Sequence, residues 1–481
     1  MHDQHAARPR TRRASSLQVG LLAFLIAGSL AALAGAYAFT GLPLAAACVL
    51  VALVCGVRIA DSEETRRLDL ALLALAGGCL VQLIPLPTAA LAIVSPHVEE
   101  FHARFHLSTG TAPAAHPLSL DPAATAYSLA LLVSFTLVFW TSRRLLERGG
   151  ARRLARAVIW IGLAVSVIAV LQRATSPWLI YWTWRPLDRG SEPFGPFVNR
   201  NHFASWVVMA LPLCAGYLVS MLEETAASLR LKAWVSRAVR WLASGELWLF
   251  ASGAMMVAAL ALARSRSGLV SAASALAAAG ILTRSRLPRW SGPGLLAYAC
   301  LLLLVVFSWS DVPALMGRFD ETLRGSDGAG RVVIWKESLS LARRFWIAGL
   351  GAGAYETAMI VYQQSYRSVA FFNQAHNHYL QLVVEGGLLL TGPALVAGWA
   401  LVGSIARRLR DSDGPIFWIR CGAATGLAGI AMQSIWETGL RMPANAVLFA
   451  VLCALAVHGP AGGRQITRRD GGTARDGRAG A

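Results

Sequence analysis

Long apolar runs follow one another almost from end to end of the chain, each bounded by a short cluster of arginines or by a turn rich in glycine and proline. Crossing a hydrocarbon layer of about 30 Å takes roughly 20 mostly apolar residues in a helix. The pattern predicts such helices near 17–36, 42–60, 68–86, 123–141, 154–172, 202–221, 246–263, 267–283, 293–309, 379–404, 416–435 and 442–458. The runs are continuous rather than alternating, so they read as helices and not as barrel strands. The expectation is an all-α polytopic membrane protein of about 12 transmembrane helices. A single transmembrane domain over 17–458 follows a basic cytoplasmic tail at 1–16 and precedes a disordered cytoplasmic tail at 459–481. Thr11-Arg12-Arg13 ahead of the first run resembles a twin-arginine or secretory signal. The run from Leu17 to Ala36 is longer than a signal core and further spans follow, which favours an uncleaved first span.

Composition agrees with that class. Of 481 residues, 56% are hydrophobic and 15% charged, too little polar surface to cover a soluble core of this size. The net charge of +18 raises nucleic-acid binding as a reading, but the arginines collect in short loops between apolar runs. That distribution sets topology and meets anionic membrane lipids, and it excludes a nucleic-acid partner. With both termini cytoplasmic, the inside face receives Arg10–Arg13, Arg66-Arg67, the Arg143–Arg156 cluster, Arg230–Arg240, Arg284–Arg289 and Arg407–Arg410. The expected location is a bacterial inner membrane with the active site facing the periplasm.

Three segments on the outer face are too long for turns: 87–122, 173–201 and the long loop 310–378. Within the last, Arg331 to Arg344 reads as an amphipathic helix with Val332, Trp335, Leu339 and Phe345 along the membrane surface. The cysteines Cys48, Cys55, Cys79, Cys214, Cys300, Cys421 and Cys453 all lie in or beside apolar runs without metal-ligand spacing, and read as packing residues.

Four polar constellations fall on the outer face. Phe194-Gly195-Pro196-Phe197-Val198-Asn199-Arg200-Asn201-His202 precedes the sixth span, where Asn199 or Asn201 caps a helix whose N-terminus favours an anion. A capped helix entry with an interfacial arginine is the plainer reading of those residues. Arg264-Ser265-Arg266-Ser267 puts two guanidiniums in a tight turn, where they either face a polar cavity or snorkel to headgroups. Gly330-Arg331 with Trp335-Lys336-Glu337 reads, taken alone, as a surface ion pair. Ala375-His376-Asn377-His378-Tyr379-Leu380-Gln381 runs into the tenth span, where His378, Gln381 and Glu385 share one helix face. Glu385 sits about 10 Å below the helix start, at 1.5 Å per residue, and an acid at that depth is a functional candidate. Arginines suit a diphosphate because their planar donors fork onto phosphate oxygens, and histidine accepts a proton near neutrality. An anionic leaving group held by arginines and a nucleophile activated by histidine point to phosphoryl or diphosphate-lipid chemistry. No Walker motif, zinc pattern or nucleotide loop is present, and no metal or cofactor is expected. Asp411-Ser412-Asp413 falls among cytoplasmic arginines and reads as a solvated loop.

The stretches Phe197–Ala204, Ser265–Gly268, Gly330-Arg331 with Trp335, and His376-Asn377 through Leu380 to Glu385 and Gly387 resemble, in order and in side of the membrane, the O-antigen ligase family. That family also includes related O-antigen and exopolysaccharide polymerases, and the resemblance covers roughly 160–400. It implies a type C glycosyltransferase-like fold. It implies an inverting enzyme that moves a glycan from undecaprenyl diphosphate to an acceptor hydroxyl, without nucleotide hydrolysis. Arg266 and Arg331 take the places of the family's functional arginines, and His376 that of its essential histidine. The donor diphosphate would meet Arg264, Arg266, Arg331 and Arg200, supported by Asn199, Asn201, Asn377, His378, Gln381 and Glu385. The sequence departs from the family at Arg200, often proline there, and at Leu390, often glycine. Lipid A–core is the expected acceptor. The nearest rival is a polymerase that extends a growing lipid-linked glycan, and protein O-glycosylation is a third variant. A lipid-linked glycan flippase is the rival from another class, and it would call for charges along several spans.

Overall fold

The computed structural model describes residues 15–59, 63–105, 115–187, 190–228, 247–286, 327–367 and 371–459. The expected span at 293–309, the arginines of both tails, Arg230–Arg240 and Cys300 lie outside the described residues. Helices carry almost everything else: α1 (Ser16–Ala31), α2 (Ala38–Cys55), α3 (Glu63–Leu83), α4 (Thr88–Val94), α5 (His97–Phe105), α6 (Pro122–Leu145), α7 (Ala151–Thr175), α8 (Arg200–Ser228), α9 (Leu247–Leu262), α10 (Arg266–Thr283), α11 (Asp327–Arg344), α12 (Tyr355–Tyr362), α13 (His378–Arg410), α14 (Pro415–Gln433) and α15 (Pro443–Val457). One antiparallel pair, β1 (Pro85–Pro87) with β2 (Ala115–Pro117), is a small exception to the all-α expectation.

By length and composition, six helical stretches are able to cross a membrane: 38–55, 122–175, 200–224, 266–283, 378–410 and 415–433. The second is 54 residues long. It divides into α6 and α7 where Arg148 and Gly149 leave helical geometry, Gly149 at φ 83°. The shorter apolar helices α1, α9 and α15 stand beside them. The chain is therefore a mostly helical polytopic membrane protein. Large apolar side chains stand exposed on these helices, among them Phe24, Leu53, Leu395 and Trp399, as lipid contact requires.

The helix α14 is the axis of the bundle, with 72% of its apolar window buried. It packs on α8 at backbone contact. A Cβ on Gly422 would stand 2.5 Å from the Pro212 carbonyl oxygen, and one on Gly426 2.6 Å from that of Met209. Lipid supplies no hydrophobic drive between helices, so small residues that let backbones approach supply the dispersion contact instead.

A second core lies outside this bundle. Leu91, Val98 and Phe101 from the 87–122 segment pack with Ile334, Leu341, Phe345, Tyr355 and Met359 from α11 and α12. Parts of two of the three segments expected as long loops thus fold onto one another. The amphipathic reading of α11 needs correction here: the helix exists, but Phe345 is buried in this core while Val332 and Leu339 are half exposed. The packing face runs through Ile334, Ser338 and Leu341, with the Ser338 hydroxyl bonded to its own helix at the Ile334 carbonyl.

The tenth expected span is also interrupted. At Gly387 the backbone of α13 turns to φ 53°, and the segment after α11 lies against the break. Leu388 and Leu389 donate to the carbonyls of Trp346 and Ile347, while Leu350 and Gly351 donate to those of Val384 and Glu385. A Cβ on Gly387 would meet the Gly349 nitrogen at 2.5 Å, so glycine is required there both by φ and by space. Buried Gln82 of α3 completes the junction, donating to the Ala348 and Glu385 carbonyls at 2.6 and 2.9 Å and accepting from Ala352 at 3.0 Å. Irregular backbone at this depth is tolerated because protein satisfies it.

Candidate active site

Helices α8, α10 and α13 begin at the same end of the bundle, around the C-terminus of α14. The entry to α8 is fixed by the Phe194–Phe197 turn, closed by mutual backbone bonds of 3.0 and 3.2 Å, with Gly195 at φ 56°. Phe197 and Phe203 are fully buried beneath it. This anchor presents Asn199, whose side chain accepts from Asn201 N at 2.8 Å, and holds Arg200 against Glu192 at 2.8 Å.

The start of α10 follows a left-handed residue, Arg264 at φ 51°, whose side chain is exposed. Ser265 caps the helix by accepting from Gly268 N at 3.1 Å, and Arg266 is its first residue, half-buried. Asn377 caps α13, accepting from Leu380 N at 3.0 Å. The end of α14 stitches the three together. Gln433 Nε2 donates to Asn201 O at 3.2 Å and to Ser267 Oγ at 3.4 Å, and His378 N donates to Ser434 O at 2.8 Å. Three helix N-termini in one place concentrate positive potential for an anion.

The hub is Glu437, in the turn between α14 and α15. Its Oε1 accepts from Arg331 at 3.0 Å and from Asn201 Nδ2 at 2.8 Å. The carboxylate is 3% exposed and the Arg331 side chain 39%, so the pair faces outward through the guanidinium. Burial pushes the Glu437 carboxyl up to about 7, outweighing the opposite pull of Arg331, Arg200 and Asn201. The surface-pair reading of Arg331 is therefore wrong, because its partner is a buried acid. Its neighbour Glu337 instead accepts from the Ser365 backbone at 2.8 Å.

His376 immediately precedes the α13 cap and takes a left-handed φ of 47°. Burial, and then the nearby Arg331 charge, bring its imidazole down to about 4, so it is neutral at pH 7. Its Nδ1 is buried without a hydrogen-bond partner, as are those of His202 and His378. Trp335 of α11 braces the same strand of chain, donating to Ala375 O at 3.0 Å. The four constellations thus converge.

Glu385 is hydrogen-bonded through both of its carboxylate oxygens. Its two oxygens accept from Gln381 Nε2 at 2.8 Å and from Gly353 N at 2.9 Å, and Gln381 in turn accepts from Ala375 N at 3.1 Å. The acid holds the broken helix to the loop, and through Gln381 it positions the segment carrying His376. A second acid within an expected span, Asp69 of α3, is buried against Arg143 at 2.8 Å. Glu437, Gln433 and the exposed Arg441, whose charge reaches His202 and His378, were not anticipated. The available signal was an acid and an arginine in the polar turn Ser434–Arg441 between two apolar runs.

Residues 251–393 match the family model described as O-antigen ligase. The match takes in Arg264, Arg266, Arg331, His376 and Glu385, and leaves Asn199–Asn201 and Glu437 outside. No curated protein matches the chain.

Proposed function

We propose, from the premise that the chain carries an O-antigen ligase family domain, that it transfers a glycan from a polyprenyl diphosphate to an acceptor hydroxyl. The observation that carries this reading is the gathering of three helix N-termini at the end of α14, beside the pair of Arg331 with the buried Glu437. Such a site is preorganised for the negative charge that grows on a departing diphosphate. Arg266 and Arg331 hold the diphosphate oxygens, with Arg200 and Arg264 at the margin. As donor binds, Arg331 shares its guanidinium between Glu437 and the phosphate.

The acceptor oxygen attacks the anomeric carbon from the face opposite the diphosphate. The carbon–oxygen bond to the diphosphate breaks, its electron pair leaves on the phosphate oxygen, and the acceptor proton passes to His376. The imidazole is neutral and its buried nitrogen has no other partner; burial and the Arg331 charge weaken it as a base, and the negative charge of a bound diphosphate acts in the opposite direction. His378 and Asn377 shape the helix entry, and Asn199 and Asn201 hold the α8 end. The reaction uses the energy of the donor bond and takes no nucleotide, metal or other cofactor. The membrane is the bacterial inner membrane and the site faces the periplasm, in keeping with the arginine distribution.

Ligation to lipid A–core is the reading preferred for the acceptor, with polymerisation of a lipid-linked repeat as its rival. Gel analysis of lipopolysaccharide from a deletion strain tests it. Unligated lipid-linked polymer is the result expected of a ligase, whereas core bearing a single repeat means a polymerase. Failure of purified protein to transfer glycan between lipid-linked donor and any acceptor would favour a flippase.

A further inference from the structure

At the opposite end of α14 from Glu437, Arg420 lies about 20 Å from Gln433 at a helical rise of 1.5 Å per residue. A pocket of about 570 Å³ opens there, between the α6–α7 break, the α13–α14 loop and the end of α15. Arg420 forms part of its wall and is 4% exposed. It donates to the Arg408 carbonyl at 3.4 Å, to Ser412 Oγ and to the His458 carbonyl, all neutral acceptors, and its buried Nε has no partner. No carboxylate lies within ion-pair distance of it among the described residues. An arginine this deep needs a negative charge nearby.

The rest of the wall supplies the surroundings of a missing anion. Half-buried Arg148, at the break where the backbone leaves helical geometry, has no hydrogen-bond or ion-pair partner among the described residues. Helices α7 and α14 both begin at this pocket, behind Gly150 and Gly414, and neither N-terminus has a side-chain cap. The positive ends of two helices add to the field of the guanidiniums, although α14 opens on Pro415, which has no N–H, and Phe417 N donates to Gly414 O at 3.0 Å. The acids of the wall do not cancel it. Glu147 is held by Arg58 at 2.5 Å, and Asp413 is 94% exposed and held by Arg286 at 3.1 Å. Arg152 is spoken for by Glu224; Asp411 stands at the exposed rim, where its charge favours the Arg420 guanidinium from beyond ion-pair distance but does not outweigh burial and the Arg408 charge.

We propose that this pocket is a second anion site, separate from the transfer site, that takes a phosphate group between Arg148, Arg420 and the starts of α7 and α14. By the arginine distribution it lies at the cytoplasmic boundary, where the phosphate is either an anionic phospholipid headgroup or a soluble phosphate compound. The volume accommodates either.

The test uses the full chain in nanodiscs of phosphatidylcholine alone, or with phosphatidylglycerol, and in the first with added inorganic phosphate. Thermal unfolding is followed for wild type, Arg148→Gln and Arg148→Glu, and retained lipid is counted by native mass spectrometry. Arg148 is half-buried at a helix break, so its variants are expected to fold. Arg104→Gln, in α5 on the outer loops, is the control for general charge loss. Stabilisation of wild type by phosphatidylglycerol, with binding about tenfold or more weaker in Arg148→Gln and absent in Arg148→Glu, is the expected result. Stabilisation by inorganic phosphate in phosphatidylcholine, with the same dependence on Arg148, assigns the site to a soluble phosphate. The proposal is overturned if wild type and Arg148→Glu respond equally to both probes, or if neither probe stabilises wild type.

Discussion

At one end of α14 a buried carboxylate, Glu437, lies between a guanidinium and an amide. At the other end a buried guanidinium, Arg420, lies among carbonyls and a hydroxyl, with Asp411 at the exposed rim acting on it from beyond ion-pair distance. The first arrangement is a completed pair whose cation is more than a third exposed, so an arriving anion competes for a charge already oriented. The second is a half-built pair, costly until an anion arrives. The difference teaches how one helix serves two anions. A reactive anion needs a partner that can be shared and released, whereas a resident one needs only a charge left unanswered.

The largest expected effect comes from the histidine at the first end. A general base contributes about 10²–10⁴-fold, so His376→Ala should lose that much single-turnover rate and keep donor binding. His378→Ala should cost less, because its backbone bond to Ser434 survives the substitution. An inactive His378→Ala beside an active His376→Ala would exchange their roles. Two active variants would leave the arginines as the only catalysts.

Next come the arginines. A charged hydrogen bond is worth about 1.5–3 kcal/mol, so Arg266→Ala and Arg331→Ala should each lower transfer about 10- to 150-fold while inserting normally. Lysine should rescue poorly at 266, since an ammonium does not fork. Arg331→Ala also strands Glu437, so its thermal stability at pH 8 should fall, whereas that of Arg266→Ala should not. Wild-type transfer in either alanine variant removes that residue from the donor site.

Much of this first end was legible in the sequence. Asn199 reads as a cap because it precedes an apolar run, and its helix follows, whereas the caps at Ser265 and Asn377 emerge only with the structure. The arginines stood out because guanidiniums are rare between closely spaced spans. Glu437 did not, because one acid in a short turn resembles any connector until Arg331, distant in sequence, is seen to reach it. Glu385 was legible as a polar residue of the site region, but only the break at Gly387 reveals that the loop backbone needs its carboxylate as an acceptor. The second core was hidden likewise, since its two segments are far apart in sequence and each looks like a long loop.

A smaller effect is expected at Glu437 itself. Glu437→Gln keeps the volume and one acceptor for Arg331, so transfer should fall only about tenfold. The wild-type rate should rise as pH passes upward through about 7, where the carboxyl ionises, and the variant should lose that inflection. Stability runs the other way. A folded pKa raised from 4.5 contributes stability that is full below 4.5 and lost as pH rises through about 7. The glutamine variant should therefore be at least as stable as wild type at pH 8 while working less well. If it unfolds at pH 8, the ionised acid is a structural anchor and the shared-guanidinium account fails.

The smallest effect tests whether the two ends are independent. Arg148 touches none of the groups around Glu437, and its pocket is separated from Glu437 by most of the length of α14. Energies at sites farther apart than about 7–10 Å, with no shared partner, add to within roughly 0.3–0.5 kcal/mol. Arg148→Gln should thus change the transfer rate by less than about twofold, and Arg148→Gln combined with His376→Ala should match the product of the single losses. A helix buried over 72% of its apolar window and packed backbone to backbone on α8 is nonetheless a stiff connection. If filling the far pocket shifts α14 along its axis, Gln433 and Ser434 move with it, and with them the bonds that gather α8, α10 and α13. That coupling would appear as a wild-type transfer rate that depends on phosphatidylglycerol, and as a double variant departing from the product. Rates measured in both lipid compositions for the four proteins of the cycle decide between a resident anion that stabilises the bundle and one that also tunes its chemistry.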